Sequence, residues 1–243
     1  MAAVSEHYDS LLGEIYSWFT GGFEENAKKN RAFFDKYNIH PRLGKRALDL
    51  GAGPGVQSIP LAQFGYEVTA IDTSEHLLGE LRGHAEKLGL HIDIIHDDML
   101  GFPEYVISPV ELIVCMTDTI VHVESKELVT ELFGKAYSAL EKEGQFVLTF
   151  RDLSFELSEL DRFIPLKSDD NRIFSCFLEY QQDSVKVHDL IYRKENDVWQ
   201  FDKSFYHKLR LSVNWVEESL VNSGFRIRVS DSLKGFTHLI ASK

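Results

Sequence analysis

Residues 47–55, Ala-Leu-Asp-Leu-Gly-Ala-Gly-Pro-Gly, constrain the fold of this chain more than any other stretch. A short apolar strand carries an acid, Asp49, and a glycine-rich turn follows it (Gly51, Gly53, Gly55). An apolar run comes next (Val56, Ile59, Leu61, Ala62), and a second strand, Tyr66-Glu-Val-Thr-Ala-Ile-Asp72, ends in another acid. Glycines in such a turn tolerate positive φ and let backbone approach a ligand where a Cβ would collide. The helix after the turn is expected to offer unpaired amides at its N-terminus. An acid closing the second strand of a βαβ unit is placed to accept both hydroxyls of a ribose. The pattern implies an adenosine-containing ligand.

Glycine spacing bears on which one. The dinucleotide fingerprint is G-x-G-x-x-G. Here the spacing is G-x-G-x-G, and Val56 stands where the third dinucleotide glycine would fall. Asp49 would repel a pyrophosphate but suits a cationic ligand. A ligand with an amino-acid ammonium and a ribose therefore fits better than NAD. The combination resembles the class I S-adenosylmethionine-dependent methyltransferases, over residues 44–152 and 212–243. The resemblance implies a Rossmann-like α/β fold: a seven-stranded, mostly parallel sheet with helices on both faces, its last strand antiparallel. It also implies S-adenosyl-L-methionine as cofactor and S-adenosyl-L-homocysteine as product. Asp49, Gly51, Ala52, Gly53, Gly55, Asp72 and Thr73 would hold the cofactor from the first two strands. Asp98 and Met99, after the third strand, would take the adenine, with Asp97 the alternative acid. Asp98 also reads as the cap of a short helix.

Around this motif the chain alternates. Helical spacing over 5–19 (Tyr8, Leu12, Ile15, Phe19) and 24–37 makes an N-terminal arm, residues 1–43. Strands at 67–71, 91–95, 111–116 and 145–150, with helices at 75–88 and 125–141, give repeated strand–helix units and a parallel sheet. After Phe150 the period changes to two. Three alternating runs, around 174–180, 185–191 and 199–211, are separated by polar turns and read as an antiparallel β-meander inserted at 153–211. A helix around 215–221 and strands 225–229 and 236–241 return to the core.

Composition narrows the partners. The 243 residues carry a net charge of −12, which disfavours a nucleic-acid substrate. The densest basic stretch, 203–210, alternates with aromatics and reads as a solvated strand face, or as one locally positive face. No apolar run approaches a membrane span, the first residues lack a signal-peptide pattern, and Cys115 and Cys176 read as buried thiols of a reducing compartment. A cytoplasmic protein without membrane contact is expected. The ten histidines show no metal-ligand spacing, so no metal is expected.

Candidate chemistry lies at the carboxyl ends of the strands. After the fourth strand come Met116, Thr117 and Asp118, placed to line the methionine end of the cofactor or the acceptor. The loop lacks the Asn/Asp-Pro-Pro-Tyr/Phe signature of nucleic-acid amino methyltransferases. His122 is a candidate general base or a packed helix-start residue. Arg151, closing the fifth strand, either clamps an acceptor carboxylate or pairs with Asp152 or Asp161. Tyr8 and Tyr16 suit a lid whose aromatic face meets a sulfonium, or plain packing. The reading is methyl transfer to a small molecule, the acceptor selected by the arm and the insertion. A protein methyltransferase, a binding module without turnover and an NAD(P)-dependent oxidoreductase are the alternatives. The aromatic meander also offers a homodimer surface.

Overall fold

The computed structural model describes residues 7, 11–42, 44–233 and 235–243. Among the described residues, the helices α1 (Gly13–Thr20) and α2 (Phe23–Lys36) precede the sheet. The core then alternates β1 (Arg46–Leu50), α3 (Ser58–Gln63), β2 (Glu67–Asp72), α4 (Glu75–Leu88), β3 (Ile92–His96), β4 (Val110–Cys115), α5 (Lys126–Ala139) and β5 (Leu140–Phe150). An insertion contributes β6 (Phe163–Ser168), β7 (Arg172–Tyr180), β8 (Ser184–Glu195) and β9 (Val198–Leu209). α6 (Val213–Asn222), β10 (Arg226–Leu233) and β11 (Phe236–Ser242) complete the chain.

The seven core strands form one sheet in the order β10-β11-β5-β4-β1-β2-β3. β1 pairs parallel with β2 on one side and β4 on the other, while β11 runs antiparallel to β5 and β10. The strand order reverses at β1, so the crevice beyond its carboxyl end is the ligand position of an open α/β sheet. Both faces are covered. α5 and α6 bury Val129, Leu132, Phe133, Val216 and Leu220 on one face; α2, α3 and α4 bury Phe34, Ile59, Leu61, Leu78 and Leu81 on the other. β4 is accordingly buried throughout, as a strand between two helical layers must be. Its one acid, Glu111, accepts the main-chain N–H groups of Arg42 and Lys45 at 2.8 and 3.1 Å, tying the end of the arm to the sheet.

Two boundaries differ from the sequence reading. α5 stops at Ala139 and β5 starts at Leu140, because β5 carries an irregularity before Gln145: Val110 pairs with Leu140, but Leu112 pairs with Gln145. Glu143 takes φ 63° there. A Cβ on Gly144 would stand 2.9 Å from the Glu141 carbonyl oxygen, so only glycine fits the bend. The insertion holds four strands in the order β6-β7-β8-β9, where the alternation showed three. β6 has no period of two: Pro165 interrupts it, its pairing with β7 slips between Pro165 and Lys167, and it lies at the sheet edge, where proline is tolerated.

The insertion turns one face inward. Phe174, Cys176, Leu178, Val185, Val187 and Ile191 pack with Leu11, Leu12 and Ile15 of the arm. Phe19 meets Phe174 edge to face, ring centroids 5.0 Å apart. The opposite face exposes Tyr192, Trp199, Phe201 and Phe205. Among the described residues, no helix is long and apolar enough to cross a membrane.

Because Phe174 is 2 % exposed and joins arm to insertion, Phe174→Ala leaves a cavity at that seam. We expect a loss of about 3–5 kcal/mol in urea denaturation; a loss under about 1 kcal/mol would show that the seam does not support the fold.

Candidate active site

A cavity opens at the carboxyl ends of β1, β2, β3 and β4. Gly51, Ala52, Gly53, Pro54, Val56 and Gln57 line it from the turn after β1, Ile71, Asp72, Thr73 and Leu77 from the end of β2 and the start of α4. Asp97, Asp98 and Met99 close one end after β3. Thr117, Thr119, His122 and Glu124 close the other after β4, with Tyr16 of α1 above.

The glycine turn works by close approach rather than by free amides. Gly51 N and Ala52 N donate to the Ile71 carbonyl at 2.8 and 3.0 Å, and Gly55 N to that of Ala52 at 3.0 Å. Gly53 N donates to Asp72 Oδ2 at 2.8 Å. All four of these turn amides are engaged within the protein. A Cβ on Gly51 would meet the Thr119 side chain at 2.2 Å. At Gly53, φ 52°, a Cβ would meet only Leu77 Cδ1, at 4.0 Å, so a ligand can lie against the backbone there. Gly55 does not line the cavity; its Cα faces Leu81 of α4, and it serves helix packing.

Asp72 receives N–H bonds from Gly53 and from Ser74 at 2.8 Å, one on each carboxylate oxygen. Those bonds fix the carboxylate plane at the cavity wall. Asp97 and Asp98 both face the cavity. Asp97 is bound by the Tyr105 hydroxyl at 2.7 Å, while Asp98 caps the following turn by accepting from Leu100 N at 2.7 Å; capping and cavity lining coexist in Asp98.

Asp49 lies beneath the turn rather than on the cavity wall. It is 1 % exposed, and Oδ2 accepts the Ser58 hydroxyl at 2.5 Å. Oδ1 has no hydrogen-bond partner among the described residues. Burial, against the Ser58 bonds, pushes its carboxyl up to about 7. Met116 is likewise buried behind the cavity, its carbonyl accepting the Thr119 hydroxyl at 2.8 Å. Tyr8 lies outside the described residues.

The loop after β4 is strained. Thr117 and Asp118 take φ 60° and 70°, a conformation that L side chains, and β-branched ones above all, adopt at a cost of about 1–3 kcal/mol each. Thr149 of β5 holds the turn: its hydroxyl accepts Thr117 N at 2.7 Å and its carbonyl accepts Asp118 N at 3.0 Å. Thr117 thereby presents its hydroxyl to the cavity, where Gln57 Nε2 donates to it at 2.8 Å. Asp118 turns the other way and accepts Lys208 Nζ at 3.0 Å and an Arg151 guanidinium N–H. Burial alone would raise the Asp118 carboxyl, but Lys208 and Arg151 overcome this and hold it well below the usual range. Neither Asp118 nor Arg151 lines the cavity.

His122 does line it, 5.4 Å from the Tyr206 ring. Burial and the Lys208 cation push its imidazole down to about 3, so it is neutral at physiological pH and a weak base. Burial, with Asp72 and Asp118 nearby, pushes the Tyr16 phenol up to about 12. Sequence reasoning missed four residues: Gln57 and Thr119 on the wall, Lys208 behind it, and His7, whose ring bonds Asp189 at 2.9 Å and Ser204 at 2.8 Å. Only the basic character of 203–210 hinted at Lys208.

Residues 47–144 match the methyltransferase domain family. Over that segment the chain is similar to methyltransferase domains, and it has the fold of the class I S-adenosylmethionine-dependent methyltransferases. It is similar to an S-adenosylmethionine-dependent methyltransferase from Clostridium acetobutylicum, at a TM-score of 0.72 and 15% identity over 97% of this chain and 95% of that one. A putative methyltransferase of Bacillus subtilis, YqeM, is 28% identical over 88% of this chain and 87% of its own length. A ubiquinone biosynthesis O-methyltransferase of Methylocella silvestris is 48% identical over 59 residues, which is 24% of this chain and 23% of that protein. This last similarity spans less than a quarter of the relative.

The raised Asp49 carboxyl has a consequence for stability. A folded pKa of about 7, above the unfolded value near 3.9, stabilises the fold fully below about pH 4 and loses that contribution as pH rises through about 7. Asp49→Asn should therefore gain stability relative to the parent protein between pH 5 and pH 8 in paired urea titrations. An equal difference at both pH values would rule this out.

Proposed function

We propose that the protein transfers the methyl group of S-adenosylmethionine to a small-molecule acceptor. The observation that carries the reading is the cavity itself: an open glycine Cα at Gly53, a carboxylate fixed by two amides at Asp72, and two acids after β3, in one crevice at the strand reversal. In this reading Asp72 holds the ribose, Asp98 or Asp97 the adenine amino group, and Thr117, Gln57 and Thr119 the methionine end. When bound, S-adenosylmethionine supplies a methyl group already activated on a sulfonium. The protein's work is then to align the acceptor and exclude water. Tyr16 of the arm covers the crevice, and Tyr206 of the insertion lies behind His122, ring centroids 5.4 Å apart. A neutral His122 can orient an acceptor by hydrogen bonding, and an acceptor that needs no strong base, such as a neutral amine or an ionised hydroxyl, suits it. A small-molecule acceptor also agrees with the similarity of one segment to a ubiquinone biosynthesis O-methyltransferase.

Isothermal titration should show S-adenosylmethionine and S-adenosylhomocysteine binding, with NADH absent or far weaker; the reverse order would overturn the reading. Asp72→Ala should weaken S-adenosylhomocysteine by roughly ten- to several-hundred-fold, as charge-assisted bonds of about 1.5–3 kcal/mol each are partly replaced by water. Unchanged affinity in a folded variant would remove Asp72 from the ribose site. Replacing residues 172–210 with a short linker should abolish turnover in an acceptor screen yet leave S-adenosylhomocysteine binding measurable. Normal methylation by that variant would refute an acceptor role for the insertion.

A further inference from the structure

Arg151, at the end of β5, and Lys208, in β9, share one carboxylate. Lys208 Nζ and an Arg151 guanidinium N–H both reach Asp118 Oδ2, while the Arg151 main-chain N–H takes Oδ1 at 2.7 Å. One carboxylate balances one of two cations. Among the described residues, a second acid within the field of Lys208, Asp189, is engaged by His7 Nε2 at 2.9 Å. Among the described residues, the Arg151 guanidinium makes a single hydrogen bond out of five N–H groups. Its side chain is 49% exposed, and its Cζ lies over the Phe236 ring, 4.0 Å from the centroid.

Both cations stand just behind the cavity end formed after β4. Asp118, which they grip, lies between Thr117 and Thr119 on the cavity wall. Arg151 acts electrostatically on Tyr16, and Lys208 on His122, and both of those side chains line the cavity. Tyr16 and His122 are themselves uncharged at neutral pH, so they do not compensate the pair. A chain of net charge −12 thus places two cations around one acid next to the position where an acceptor must stand.

We propose that Arg151 and Lys208 form an anion subsite that receives a carboxylate of the methyl acceptor, with Asp118 holding the two cations in place. The inference rests on the methyl-transfer reading of the cavity. The unused guanidinium edge can meet a carboxylate with two parallel N–H bonds without displacing Asp118. The cofactor's own carboxylate has the same chemistry. The acceptor is the better match, because Lys208 belongs to the insertion, which contributes no residue to the cavity wall, whereas the core strands and their loops supply nearly all of it.

The probe is benzoate against benzamide, equal in shape and different in charge, titrated into protein saturated with S-adenosylhomocysteine and followed by calorimetry or ligand-observed NMR. Benzoate should bind about tenfold or more tightly than benzamide, and Arg151→Gln and Lys208→Met should each remove most of that preference. Lys208→Arg should restore it, and all three variants should keep S-adenosylhomocysteine affinity within about twofold. A benzoate affinity equal to that of benzamide, or a preference surviving both substitutions in folded protein, would overturn the subsite. Variants that instead lose S-adenosylhomocysteine would assign the pair to the cofactor carboxylate and also overturn it. Failure of the parent protein to bind S-adenosylhomocysteine at all would be a failure of the methyl-transfer reading, seen before benzoate is added.

Discussion

The two sheets of this protein are joined through one carboxylate. Asp118 leaves β4 in a strained turn, is gripped by Arg151 from β5 and reaches Lys208 in the insertion. The turn conformation costs free energy, and the Thr149 bonds and the two cations offset it. Thr149 holds the main chain of both residues, so the turn that points Asp118 toward the insertion also presents Thr117 to Gln57, whatever Asp118 pairs with. A constraint at the back of the loop thus sets the front of the site.

The cavity inherits its ligand preference from how its backbone groups are already used. With the amides of Gly51, Ala52, Gly53 and Gly55 engaged inside the protein, the turn is a poor phosphate cradle, since phosphate binding relies on free N–H donors. The lining offers close backbone approach, carboxylates, hydroxyls and apolar side chains, which suits a nucleoside with a cationic side arm. The buried Asp49 adds to this: an acid beneath the turn disfavours a second anion above it. The absence of a third dinucleotide glycine and the engaged amides therefore point the same way for different physical reasons.

The arm and the insertion depend on each other. The inner face of β7–β9 is apolar, and a sheet with one apolar face needs a partner. Leu11, Leu12, Ile15 and Phe19 supply it, and the buried His7–Asp189 pair adds a polar contact at the same seam. Placing α1 there also brings Tyr16 over the cavity. Closure of the site and burial of the insertion are one packing event.

The sequence by itself determined the core. Period-2 and period-3.6 patterns are local, so the strands of the seven-stranded sheet and the glycine turn with Asp72 were legible from 47–72 onward. The seven-stranded arrangement followed from strand–helix alternation and the resemblance it supports. Local patterns fail where pairing decides the outcome: β6, interrupted by Pro165, is a strand because β7 pairs with it, and β5 begins at Leu140 because Val110 lies beside it. The same limit governs the site. Asp49 reads as a ligand-facing acid, yet its strand is central and buried, and the side chain turns under the loop to Ser58. His122 reads as a titrating base, yet burial beside Lys208 keeps it neutral. Asp118, Arg151 and Lys208 are separated by up to ninety residues, and charges that far apart in sequence acquire their meaning only when tertiary packing excludes water and brings them to a single carboxylate.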